Sequence, residues 1–112
     1  MVSGSASYAK TTLGKGESSL LQAVPTTFEL FQNHPNPFNP STAIRYGLPQ
    51  KSQVRLEVFH LLGQRVAVLV DGEKEAGYHA VTFENPDLAS GLYIYRLSAV
   101  NFVQTKKLIL LR

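Results

Sequence analysis

The chain has 112 residues, room for one ordinary domain and not for two. Its 44% hydrophobic and 17% charged content calls for a buried core, and its net charge of +3 is scattered over Arg45, Arg55, Arg65, Arg96 and Lys106, which excludes the concentrated basic face of a nucleic-acid binder. Cysteine is absent, which excludes thiol catalysis, disulfides and thiolate metal sites, and no run of about 18 apolar residues exists to form a transmembrane helix.

Residues 1 to 27 include twelve Ser, Thr or Gly, and apolar residues are thinly spread until Leu20 and Leu21. Such a segment buries too little to offset its ordering entropy, so it is expected to be a flexible linker. A linker there implies something upstream: the chain is expected to be the tail of a larger protein, with an added first Met. Met1 to Lys10 lacks the basic and apolar regions of a signal peptide, so no ordinary export address is expected in it.

The domain is expected over residues 28–112. It opens on a distinctive stretch from Gln32 to Thr42. Pro35, Pro37 and Pro40 fix φ and remove backbone donors, which excludes both a helix and a central strand. Asn33, Asn36 and Asn39 favour consecutive turns. Phe38 reads as an apolar plug that holds a rigid lead-in across one end of the core. A binding surface is the alternative role.

From there the pattern is all β. Ile44, Tyr46 and Leu48 alternate with Ala43, Arg45 and Gly47, and Val54, Leu56 and Val58 alternate with Arg55, Glu57 and Phe59. Leu62-Gly63-Gln64 then marks a turn. Val66 to Val70 reads as a strand buried on both faces or a short edge strand. Asp71-Gly72 is expected to open a charged loop that closes at Gly77, with Glu73, Lys74 and Glu75 solvated. His79, Val81 and Phe83 form a further strand, and Asn85-Pro86-Asp87 with Ser90-Gly91 brackets a turn. Leu92 to Ala99 and Phe102 to Leu111 complete the set, with Asn101 expected to take the left-handed conformation of the hairpin. Val103, Thr105 and Ile109 favour a strand over a helix in the last segment. About seven strands at this spacing point to a β-sandwich, with a small barrel as the alternative.

Chemistry is hard to find in this pattern. His34, His60 and His79 share no metal-ligand spacing. Asp71, Glu73 and Asp87 are weighed for calcium at one end of a sandwich, but no loop-ligand pattern supports it. Ser90 lacks a nucleophile elbow, and no glycine loop cradles a phosphate. No enzyme and no cofactor is expected. Tyr46, Tyr78, Tyr93 and Tyr95 leave one alternative, a carbohydrate-binding or adhesion module of a secreted hydrolase. That reading needs at least two coplanar rings on an open face, whereas Tyr93, Tyr95 and Leu97 share a face that reads as core.

The order of motifs carries a resemblance. Phe28-x-Leu30 is followed by Gln-Asn-x-Pro-Asn-Pro-Phe-Asn-Pro-Ser-Thr and by Ile44-x-Tyr46-x-Leu48-Pro49. Then come Val54-Arg55-Leu56-x-Val58-Phe59, Leu62-Gly63-Gln64-x-Val66, Gly77-Tyr78-His79, Ala89-Ser90-Gly91-x-Tyr93-x-Tyr95 and Lys106-Lys107-x-Ile109-x-Leu111. From Phe28 to Arg112 the chain resembles the C-terminal sorting domain of the type IX secretion system. Phe83 stands where that family often has Trp, and Ala99-Val100-Asn101 replaces a usually Gly-rich hairpin.

The resemblance implies an immunoglobulin-like sandwich that directs an upstream cargo, often a hydrolase, across the periplasm and outer membrane to the cell surface. It implies an outer-membrane translocon and a cell-surface sortase as partners, the sortase removing the domain or leaving the cargo anchored. Carried over by position, the recognition elements are Ser90, Gly91 and Tyr93 together with Lys106, Lys107 and Arg112. Asn33, Pro35, Asn36, Pro37, Phe38, Asn39 and Pro40 are expected to stabilise the fold.

Overall fold

The computed structural model describes residues 24–112, and every regular element among them is a strand. In chain order these are β1 (Glu29–Leu30), β2 (Ser41–Leu48), β3 (Ser52–His60), β4 (Arg65–Lys74), β5 (Gly77–Glu84), β6 (Gly91–Ala99) and β7 (Phe102–Leu110). One sheet has the order β1-β2-β5 and the other β4-β3-β6-β7, with all neighbouring strands antiparallel. The expected seven-stranded all-β fold is present. Two separate sheets enclose the core, so the barrel alternative falls away.

The two-residue period decides which side chains enter that core. Thr42, Ile44, Tyr46 and Leu48 point inward from β2, while Ala43 and Arg45 face solvent. Val54, Leu56 and Val58 answer them from β3, and Tyr93, Tyr95, Leu97 and Ala99 from β6. Leu108 and Leu110 complete the core from β7. Each fully buried side chain of this size is worth about 1.5–3 kcal/mol against exposure. Phe38 is buried too, and its ring lies 6.0 Å from that of Phe83, which places the expected plug where the sheets end.

Two local expectations need correction. Asp71-Gly72 opens no loop: Asp71 pairs with Arg55 and Gly72 with Val54, so β4 runs on to Lys74. The reason is position, because β4 is an edge strand, where charges and glycine are tolerated and guard against further pairing. Val66 to Val70 therefore lie in an edge strand, though not a short one, and Val70 alone of these five is buried. At the β6–β7 hairpin, Val100 and not Asn101 takes the positive φ, at 55°. Ala99 pairs with Phe102, which leaves two residues for the turn, and such turns require a positive φ at the first of them.

Pairing fixes what lies at each end of the sandwich. The β6–β7 hairpin, the end of β2 and the stacked rings of Phe28 and Phe102, 5.5 Å apart, lie at the end where the chain enters. Pro25 is already buried there, and a Cβ on Gly47 would come within 2.9 Å of its Cγ, so only glycine admits this approach. Residues 1–23 of the expected linker lie outside the described residues. The β3–β4 turn, the β5–β6 turn and Arg112 lie at the opposite, distal end.

Candidate functional site

The Pro-Asn segment runs beside β7, the outer strand of its sheet. Between Lys107 and Leu111 it occupies the edge of that strand. Gln32 Nε2 donates to the Lys107 carbonyl at 2.6 Å, and Asn36 Oδ1 accepts the Ile109 amide at 2.9 Å. The Phe38 amide donates to the Ile109 carbonyl at 2.9 Å, and the Phe38 carbonyl accepts the Leu111 amide at 3.0 Å. An unpaired edge invites foreign strands, and these bonds close its C-terminal half. The prolines suit the task, since they cannot continue a ladder beyond this short contact.

A buried polar knot fixes the segment to the core. The Tyr95 hydroxyl donates to the Phe31 carbonyl at 2.6 Å and accepts the Asn33 amide at 2.8 Å. Asn33 Nδ2 donates to the Pro35 carbonyl and to Thr42 Oγ1, and the Thr42 hydroxyl donates to that same carbonyl. Burial pushes the Tyr95 hydroxyl up to about 12, the bond from Asn33 opposing it in part. Asn33, Asn36 and Phe38 thus have direct structural tasks, while Pro35 offers its carbonyl.

Four of the carried-over recognition residues meet at the distal end. The Arg112 amide donates to Ser90 Oγ at 2.9 Å, and its guanidinium donates to the carbonyls of Leu88 and Asn85. Gly91 pairs with Leu110, and the Tyr93 hydroxyl donates to the Ala89 carbonyl at 2.7 Å. The last residue thereby staples the turn that precedes β6. Lys106 and Lys107 do not join this cluster. As strand neighbours they point to opposite faces, Lys106 half-buried opposite Tyr95 and Lys107 exposed opposite Ile94.

One charged group escaped the sequence reading. Glu57 is buried on the outer face of β3, with Arg65 at 3.0 Å, Arg96 at 3.2 Å and Arg55 at 3.8 Å. Burial works against its charge, yet hydrogen bonds from Arg65 and Arg96, with the charges of Arg96 and Arg55, hold its carboxyl below the usual range. Arg96 also lies 4.7 Å over the Phe59 ring. The partners come from three strands, so no local spacing announces them. The alternation alone places Glu57 outward, opposite in sense to Leu56.

The remaining candidates do not converge. Asp71 faces Arg55 and Glu73 lies near Lys51, both toward the entry side, whereas Asp87 sits in the distal turn, so the weighed calcium set does not assemble. His60 packs edge-on against Tyr93 and His79 stacks on Tyr46. Tyr46, Tyr93 and Tyr95 are buried, and among the described residues Tyr78 is the one exposed tyrosine. Arg45 lies over both Tyr78 and its tilted neighbour Phe31. The pair of open, coplanar tyrosines that sugar binding needs is not formed among the described residues.

No curated protein matches the chain. The family model for the secretion system C-terminal sorting domain matches residues 32–111, from the start of the Pro-Asn segment to the end of the last strand. That span holds the clamp on β7 and, of the distal cluster, Ser90, Gly91 and Tyr93, and it stops one residue short of Arg112. The chain therefore belongs to the secretion system C-terminal sorting domain family and carries a sorting signal for type IX secretion.

Proposed function

We propose that this domain marks an upstream cargo for delivery to the cell surface through a folded distal surface, and that an outer-membrane translocon reads that surface. One observation carries the reading: Arg112, at the end of β7, is bound back to Ser90, Leu88 and Asn85 instead of trailing free. Ser90, Gly91 and Arg112 then form one epitope that exists only in the folded domain, and the buried Tyr93 supports it from beneath through its bond to Ala89. A cell-surface sortase acts afterwards on the segment before Phe28, because a peptidase needs extended chain that paired strands withhold; the domain is removed there, or the cargo stays anchored. Residues 1–27 act as the linker, the domain runs from 28 to 112, and catalysis belongs to the cargo. The immunoglobulin-like form of the sandwich is supported by the Tyr93–Ala89 bond, a corner that such sandwiches use near the start of the corresponding strand.

The test is a folded reporter joined upstream of the full chain and expressed in a host with the secretion system. Combined Ser90→Ala and Arg112→Ala substitution is expected to retain the two-state unfolding transition and lower reporter delivery. Delivery at the parent level by this folded variant would overturn the distal epitope.

A further inference from the structure

The clamp leaves the outward backbone groups of the first half of β7 unpaired among the described residues, although β1 packs nearby and Phe28 stacks on Phe102. The register with β6 is regular from Phe102 to Leu110, without a bulge. The Lys107 carbonyl and the amide and carbonyl of Ile109 all face away from β6, since the Pro-Asn segment binds them. By the two-residue period, the amides and carbonyls of Val103 and Thr105 and the amide of Lys107 face the same way. None of these has a backbone partner among the described residues outside the sheet. The other edge of this sheet, β4, is broken by two register shifts and carries Asp71, Glu73 and Lys74. The free half of β7 has no register shift, and its only charges are the cations Lys106 and Lys107.

Its charge selects an occupant. β6 and β7 contain Arg96, Lys106 and Lys107 and no acid. Arg96 is engaged by Glu57, whereas Lys106 and Lys107 form no ion pair among the described residues. The two lysines flank the edge on opposite faces, so alternate side chains of an added strand meet one lysine or the other. A second copy of the chain would bring further lysines to the same edge. We infer that Val103–Lys107 is a docking edge for an extended, acidic polypeptide strand of a partner protein, held by backbone pairing and oriented by Lys106 and Lys107. This binding is a property of the edge, separate from delivery.

Thr105→Pro isolates it. The substitution removes an amide that faces outward and spares the β6 ladder, a place where an edge strand accepts proline. The probe is a capped seven-residue peptide alternating valine and glutamate, titrated into the full chain while backbone amide resonances are followed. Shifts are expected at Val103, Thr105 and Lys107, with affinity weakened by salt and by about tenfold or more in Thr105→Pro at unchanged thermal midpoint. A valine–lysine peptide is expected to bind about tenfold more weakly or not at all. Absence of binding, equal binding to Thr105→Pro, or equal binding of both peptides would each overturn the proposal. Self-association of the chain that Thr105→Pro abolishes would also overturn it, in favour of a second copy.

Discussion

Phe38 and Leu110 form a parallel bridge of a single residue pair, which joins a proline-rich loop to the last strand of the domain. The contact is short, yet it places the Phe38 ring in the core and its backbone between Ile109 and Leu111. The first motif of the chain and the last are thus one structural unit. Loss of either exposes the edge of the other.

The Tyr95 hydroxyl is the hinge of that unit. Tyr95→Phe keeps the ring and leaves the buried Asn33 amide without its acceptor. The expected loss is about 1–3 kcal/mol, measured by urea unfolding. The variant also tests pH dependence. Burial raises the folded hydroxyl from 10.0 to about 12, so the native state holds its proton where the unfolded state has released it. Stability is full below 10.0 and falls as pH rises toward about 12. Tyr95→Phe is expected to flatten that alkaline decline, although Tyr46, also raised by burial, leaves part of it in place.

Glu57 acts on the opposite limb. Its carboxyl is held below the ordinary glutamate value of 4.5, so the unfolded chain takes up the proton first as pH falls. Stability from this group is present above 4.5 and is lost as pH drops through the folded value. Glu57→Gln is expected to cost about 1–3 kcal/mol at neutral pH, below the cost of breaking a fully buried pair, since its arginines are half-exposed. Thermal midpoints of parent and variant should converge in acid. A constant gap across pH would contradict the assignment.

Val100 carries a conformation that β-branched residues rarely adopt, at φ 55° and 62% exposed. Val100→Gly relieves the strain and gives up little packing. A gain of about 0.5–2 kcal/mol is expected after the entropy cost of glycine, read as a higher thermal midpoint. A lower midpoint would mean that the turn is not strained.

Lys106 and Lys107 now make separable predictions. Lys107→Ala removes the exposed charge and Lys106→Ala the half-buried one, each within about 0.5 kcal/mol of parent stability. If delivery depends on the outer face of the sheet, Lys107→Ala alone lowers reporter export. Equal export of both single variants and of the double variant would place both lysines outside the delivery signal.

The strands were legible where one face is buried and the other wet, as in Ile44–Arg45–Tyr46 and Val54–Arg55–Leu56, because alternation is a local property. β4 was misread at Asp71-Gly72 because an edge strand accepts residues that elsewhere break strands. Val100 was missed because a two-residue hairpin imposes its backbone angles whatever residue stands there. Opposite faces for Lys106 and Lys107 follow from the same period that revealed the strands. Contacts such as Asn33–Tyr95, 62 residues apart, and the arginines around Glu57 are set by topology, so the sequence offered their residue types without their meeting.

The C-terminal strand is clamped by the Pro-Asn segment and presented as folded surface. Residue-resolved amide hydrogen exchange tests it directly, because Ile109 and Leu111 face away from β6 and owe their protection to Asn36 and Phe38 alone. Their amides are expected to exchange slowly, together with Leu108 and Leu110, while Val103 and Thr105 exchange fast. Exchange of Ile109 and Leu111 as fast as Thr105 would show an open edge and contradict the clamp.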